Sequence, residues 1–308
     1  MIISPDFQAI NPKNLRFNTG YFKTRFLFLV LNRRWFHYKS DVPLLINNLM
    51  RSKNLILCLA ALSFLFSITS CEKETEEFKT EAIADYMPLS VGKYITYRLD
   101  STVFTNFGRS EEIHRYQVKH VVDKQITDNL GRPSYRVFRY LRDSLGTQPW
   151  VENGTYFVTP LTNEVEVIED NLRFIKLHLP FKLNNDWKGN KYLSDDPFAS
   201  LYTFFNDDNM NEWDYSMDQF DNTITIRGNT YKDVYTVFQI DESINAPVTN
   251  TNQPGYRTLA SDKFAKNIGL VTRDLLMWEY QPPAPGSPPG TLGFKTGFGI
   301  KMWMIDHN

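Results

Sequence analysis

The densest run of groups able to hold a ligand is Asn206-Asp207-Asp208-Asn209-Met210-Asn211-Glu212-Trp213-Asp214. Oxygen donors at alternating positions, Asp207, Asn209 and Asn211, are the hard ligands that Ca²⁺ takes. The run lacks the glycine and spacing of an EF-hand, and Asx-rich turns form without metal, so no resident metal or other cofactor is expected. Trp213 and Tyr215 alternate beside these acids. Exposed, they would stack on a sugar while Asp207, Asp208 and Asn211 bonded its hydroxyls; buried, they would fill a β core, as large aromatics do. Trp150 can be read in the same two ways. His114 and His120 are six apart, on one strand face but about 20 Å apart by strand rise, too far to share an ion. With His178 and His307 they read as solvent-facing or hydrogen-bonded side chains. No G-x-S-x-G, H-E-x-x-H, P-loop or helix-opening G-x-G-x-x-G occurs. Carboxylates are plentiful, so a glycosidase-type pair stays open, but nothing in the sequence selects one.

Cysteine supplies more specific chemistry. Arg51 and Lys53 precede a run of about a dozen mostly apolar residues, 55–66, the length of a signal-peptide core and short of the roughly 18 needed to span a bilayer. The run ends in Ser67-Ile68-Thr69-Ser70-Cys71. Small side chains before a cysteine let an extended backbone enter a peptidase cleft. The thiol can take a diacylglyceryl thioether, and cleavage frees an amine for a further acyl chain. More than one chain matters, because one alone gives marginal membrane binding.

This segment resembles the lipobox of bacterial prolipoproteins, with Ile68 where Leu is usual. The resemblance implies a signal peptide over 50–70 that starts at Met50, lipidation of Cys71 and a membrane partner reached through that lipid. The implied location is the cell envelope, foremost the outer membrane, facing the periplasm or the cell surface. Residues 1–49 have no clean periodicity and read as a disordered extension from a start assigned too early, or else as a long n-region. Residues 71–81 are polar and acidic, a tether; charges directly after the lipidated cysteine also resemble surface-export signals of some Gram-negative lipoproteins.

Charge narrows the partners. The whole chain carries a net −1, yet residues 1–70 hold nine Lys/Arg and two Asp/Glu, which leaves 25 basic and 33 acidic residues, −8, for 71–308. Such a chain is not expected to bind nucleic acid, which needs a basic surface. Of two cysteines, Cys58 lies in the signal segment and Cys71 is the lipid site, so no disulfide or cysteine-based metal site is expected.

The elements that must position any site read as strands. Ile95, Tyr97 and Leu99 alternate with polar residues, and His114, Tyr116, Val118, His120 and Val122 share one face. Further strands are expected at 135–142, 155–159, 164–168, 172–179, 223–227, 234–240, 270–280 and 299–305. Turn signals separate them at Asn129-Leu130-Gly131, Glu169-Asp170-Asn171 and Arg227-Gly228-Asn229. The Pro-rich stretch 282–290 reads as the tip of a C-terminal hairpin, and 197–205 as a short helix capped by Asp195 or Asp196. The expected fold is all-β over 82–308: an antiparallel sheet, sandwich or partly closed barrel, with at most one or two short helices.

Two stretches, Tyr86-Met87-Pro88-Leu89-Ser90-Val91-Gly92-Lys93-Tyr94-Ile95-Thr96-Tyr97 and Phe264-Ala265-Lys266-Asn267-Ile268-Gly269-Leu270-Val271, resemble the opening and a late strand of many uncharacterised secreted β domains. Tyr94 stands where Trp is usual and Phe264 where Tyr is. The resemblance implies an all-β envelope-protein fold and carries no catalytic residue. The sequence thus points to a lipid-anchored envelope module that binds a ligand, glycan or envelope protein or serves a structural part in an outer-membrane assembly. The alternative is a carboxylate-dependent hydrolase.

Overall fold

Side chains that alternate between two faces of a sheet, rather than any helical period, build the molecule. The computed structural model describes residues 81–204 and 209–308. Cys71, residues 1–70, the tether up to residue 80, Asp207 and Asp208 lie outside the described residues. Twelve strands follow one another: β1 (Tyr94–Thr105), β2 (Ser110–Thr127), β3 (Pro133–Asp143), β4 (Val151–Pro160), β5 (Glu164–Glu169), β6 (Leu172–His178), β7 (Asp186–Lys188), β8 (Asp214–Ile226), β9 (Asn229–Ile244), β10 (Gly255–Ala265), β11 (Gly269–Gln281) and β12 (Phe294–His307). A four-residue helix, α1 (Ile83–Tyr86), precedes them, and one turn of 3-10 helix spans Met210–Glu212. The expected all-β class is the observed one.

All twelve strands form one antiparallel sheet ordered β6-β5-β4-β3-β2-β1-β12-β11-β10-β9-β8-β7. Two six-stranded meanders are joined where β1 pairs with β12, and the sheet nearly closes into a barrel. At the seam the Ile175 N–H in β6 donates to Gly189 O just after β7 (2.7 Å), and Trp187 Nε1 donates to Ile175 O (2.9 Å). These bonds occupy edge groups that would otherwise recruit another chain.

Strand direction gives the barrel two ends. Helix α1 and the short connections 128–132, 161–163, 227–228 and 266–268 lie at the entry end; the longer ones, 144–150, 189–213, 245–254 and 282–293, lie at the opposite end. Turn chemistry agrees with the sequence: Asp170 and Asn171 both take left-handed backbone (φ 52 and 64), as a two-residue hairpin turn requires. The Pro-rich stretch joins β11 to β12 as expected.

Three expectations need correction. No helix forms over the described part of 197–205; Ala199 N bonds Asp196 O, and Leu201 N and Tyr202 N bond Phe198 O, so the chain makes successive turns. Its Phe198 and Tyr202 rings pack on β12, 5.1 and 5.3 Å from Phe298. β10 was absent from the expected strands, because its inward face carries Thr258, Ala260 and Asp262 rather than an apolar stripe. β8 is longer than 223–227, beginning at Asp214 through a polar segment.

Candidate functional site

Register settles which side chains point inward. Tyr97 lies beside Val118 and Met304, His120 beside Arg139, Val137 beside Tyr156, Val158 beside Val167, and Asp262 beside Arg273. The interior is therefore a set of apolar stripes, Val137 on β3, Val165 and Val167 on β5, Phe174 on β6, Val271 and Met277 on β11. Each of these stripes is broken once by a charge: Arg139, Glu169, Lys176 and Arg273, with Asp262 facing them from β10.

These five charges form a chain across the barrel. Arg139 donates to Glu169 Oε1 at 2.6 Å and to Asp170 Oδ1 at 3.2 Å. Arg273 reaches the other Glu169 oxygen at 3.4 Å and donates through Nε to Asp262 Oδ1 at 3.0 Å. Lys176 Nζ lies 3.3 Å from Asp262 Oδ2, which also accepts from Gln239 at 3.2 Å. Since β5 and β11 lie far apart in the sheet order, the Glu169–Arg273 pair ties opposite walls together. Lys176 stands at an irregularity in the β5–β6 register, where Val165 pairs with Leu177 and Glu166 with Ile175; such a bulge re-aims a side chain. Gly154, opposite the Arg139 region, has φ +100, and a Cβ there would sit 3.1 Å from the Arg139 guanidinium. The left-handed backbone strains any side chain at this position, and the Arg139 guanidinium would have to shift by a few tenths of an ångström to admit one.

Burial opposes every charge in this layer, and the charges answer one another. Desolvation pushes the Glu169 and Asp262 carboxyls up, but neighbouring cations outweigh it and hold both below the usual carboxylate range. Arg273 and Arg139 act on Glu169, Arg273 and Lys176 on Asp262. Burial pulls Lys176 down, with Asp262 opposing. A hydrolytic general acid needs a carboxyl whose pKa is raised. Glu169 and Asp262 are held ionised instead, so the layer is suited to fixing structure and a local field rather than to giving up protons.

Two cavities flank the layer, and Glu169, Lys176 and Arg273 line both. One, of about 60 Å³, lies among Phe174, Phe198, Met210, Tyr215 and Phe298. The other, of about 80 Å³, runs from half-buried Met87, Leu89, Tyr94 and Ile268 at the entry end past Tyr97, Val122, Val158 and Phe264. Gly269 shapes its mouth, φ +107, with Ile95 Cδ1 3.4 Å from where a Cβ would lie. Its inner wall carries His120 and Tyr156. The Tyr156 hydroxyl and His120 Nδ1 are 3.1 Å apart, while His120 Nε2 is buried and has no hydrogen-bond partner among the described residues. Burial lowers His120 to about 3, so the imidazole is neutral at ordinary pH. A buried polar atom without a partner costs free energy, and here it belongs to a side chain that lines an apolar cavity. A larger space of about 330 Å³ opens at the opposite end beside Phe104, Tyr280 and Leu292. Two of its charged members pair with each other, Lys295 with Glu111 at 3.0 Å.

The sequence-derived candidates are not assembled in this way. Trp213 and Tyr215 are 8% and 0% exposed, so neither ring is offered to a sugar. Tyr215 donates to Asn190 at 2.7 Å inside the core and packs 5.8 Å from Trp187. Asn209 takes left-handed backbone before the 3-10 turn, Asn211 leaves its buried Oδ1 without a hydrogen-bond partner among the described residues, and their supposed co-ligands Asp207 and Asp208 lie outside those residues. Trp150 is half-buried between the cations of Arg142 and Lys119, 4.1 and 4.8 Å from its ring. His114 bonds Glu112 at 2.9 Å, and His178 stacks on Trp187 at 6.0 Å. The residues missed were the inward charges. Their signal was present as a single charge at an inward position of an apolar stripe, as in Leu172, Phe174, Lys176 or Val271, Arg273, Leu275. No family model matches this chain, and no curated protein matches it.

Proposed function

We propose that this protein is a lipid-anchored component of the cell envelope whose barrel binds a small, mainly apolar ligand at its entry end. One observation carries the reading: an apolar cavity that reaches the surface at its outer end and is lined inside by His120, whose buried Nε2 has no hydrogen-bond partner among the described residues. Ligand sites are largely apolar with a few placed polar groups, and this cavity has that division. Its volume suits a polar head and the first few carbons of a ligand, with the remainder lying along Leu89, Tyr94 and Ile268.

The anchor reading supports the same end. Glu81, at the start of the described chain, is tied to Lys266 by a 3.1 Å ion pair beside the 266–268 turn. Ten residues from Cys71 reach at most about 35 Å, so lipidation at Cys71 would keep the cavity mouth within reach of the bilayer. Whether that membrane faces periplasm or exterior does not alter the geometry. Neither a glycan nor hydrolysis enters this reading: the expected aromatics are buried and the two inward carboxylates of the layer are held ionised.

Two experiments test it. Metabolic palmitate labelling is expected for the natural chain and absent in Cys71→Ser; persistent labelling of the variant overturns the anchor. For the cavity, thermal unfolding of full-length Cys71→Ser is followed with C6–C10 amphiphiles bearing varied heads. A ligand that binds only the folded state raises Tm with concentration. Val158→Phe, which fills the cavity, is expected to abolish that response. No response to any member of the series rejects the binding reading.

A further inference from the structure

We propose that the group this cavity recognises is a neutral hydrogen-bond acceptor, a ketone, ester or amide carbonyl, bound by His120 Nε2–H, and that the site discriminates against carboxylates. The inference rests on the binding function proposed above and names the chemistry of that ligand's head.

The tautomer follows from the neighbour. Tyr156 is half-buried, and desolvation pushes its phenol up, so it keeps its proton. Among the described residues its hydroxyl has one hydrogen-bond partner, His120 Nδ1. A hydroxyl hydrogen needs an acceptor, and a neutral imidazole offers one at the nitrogen that carries no proton. Tyr156 therefore donates to Nδ1, which places the imidazole proton on Nε2, the atom without a partner. An N–H that is unpaired among the described residues, on a side chain that lines an apolar cavity, calls for an acceptor. An ammonium or other pure donor gains nothing there.

Charge decides against an acid. Among the described residues, three cations, Arg139, Arg273 and Lys176, and three carboxylates, Glu169, Asp262 and Asp170, stand around the floor and are mutually paired. A carboxylate ligand would add an uncompensated negative charge beside Glu169, in a place where the charges present are already matched. The neutral His120 cannot supply the missing countercharge. A carbonyl takes the same hydrogen bond without that penalty.

Octan-2-one and octanoate share a chain length and differ in the head, which makes them suitable probes. With full-length Cys71→Ser at pH 7.5, the ketone is expected to bind at least about tenfold more tightly than the acid. Its carbonyl stretch should move to lower wavenumber on binding, as hydrogen bonding to Nε2–H requires. His120→Phe should lower ketone affinity about tenfold and return the stretch to its unbonded value. Tyr156→Phe frees Nδ1 to hold the proton and should weaken the shift even if His120→Phe does not fold. Octanoate binding as tightly as the ketone, or an unshifted carbonyl, overturns this inference and leaves the binding function standing. If no amphiphile of the series binds, the binding function fails as well.

Discussion

Glu166 and Glu169 lie three residues apart on β5 and therefore on opposite faces of the sheet. Both are almost wholly buried, at 2% and 7% exposure, and both are held by two arginines. Glu166 faces outward. It accepts from Arg132 at 2.8 and 3.2 Å and lies 3.6 Å from Arg173, and those two side chains keep 24% and 35% of their surface in water. Glu169 faces inward, and its partners Arg139 and Arg273 keep only 8% and 14%. The outward arginines can rehydrate if their partner is lost; the inward ones cannot. Two similar ion-pair sets on one strand should thus differ in what they contribute, and the difference comes from the partners' access to solvent rather than from the carboxylate's own burial.

Neutralising each acid in turn is the most direct way to break this comparison. Glu169→Gln leaves Arg139 and Arg273 buried with incomplete compensation and is expected to cost about 3–5 kcal/mol. Asp262→Asn should fall in the same range, since Arg273, Lys176 and Gln239 all converge on it. Glu166→Gln should cost about 1 kcal/mol or less, the scale of solvent-reached pairs. Urea unfolding at pH 7 reads all three, and equal costs for Glu166→Gln and Glu169→Gln would remove the distinction between the faces.

Acid provides a second, somewhat smaller separation. His120 is pulled from 6.5 to about 3 by burial, so the unfolded chain takes up its proton first as pH falls. Where the unfolded state binds more protons, stability rises with pH. The inward face should therefore lose about 2 kcal/mol between pH 6.5 and 4.5 through His120 alone, the slope approaching about 1.4 kcal/mol per pH unit only once the pH is well below 6.5. Glu169 and Asp262 have depressed pKa values, so their contribution is full above the unfolded carboxylate range, about 4, and fades below it. Two stages of acid loss follow, histidine before carboxylates. His120→Phe should flatten the first stage in urea midpoints taken at pH 7 and 4.5; an unchanged slope would mean that another group carries it.

The same two faces explain how much could be read from sequence. Outward and apolar inward positions alternate as strands should, and turn residues such as Asp170-Asn171 and Arg227-Gly228 punctuate them, so the all-β class and most strands were legible. β10 was not, because a strand whose inward residues are Thr258, Ala260 and Asp262 has no apolar stripe to read. Asp262 thus hid both its strand and the site. The candidate site was illegible for a related reason: Arg139, Glu169, Lys176, Asp262 and Arg273 are scattered over more than a hundred residues and meet only through closure of the barrel. Trp213 and Tyr215 misled in the other direction. Their acidic neighbours suggested exposure, but the 3-10 turn at Met210–Glu212 carries the chain back so that both rings enter the core.

Salt gives the finest test of the contrast. Ions screen charges that water reaches and act little on buried ones; the screening length falls from about 10 Å at 0.1 M to about 3 Å at 1 M. The cost of Glu166→Gln should shrink by a few tenths of a kcal/mol when NaCl is raised to 1 M, because Arg132 and Arg173 are open to counterions. The cost of Glu169→Gln should change less, since Arg139 and Arg273 keep only 8% and 14% of their surface exposed. A Glu169→Gln cost that fell with salt as much as that of Glu166→Gln would show that solvent enters the interior. In that case the charge layer would line a wet channel, and the match between three cations and three carboxylates that disfavours an acidic ligand would be set by mobile ions instead of by the protein.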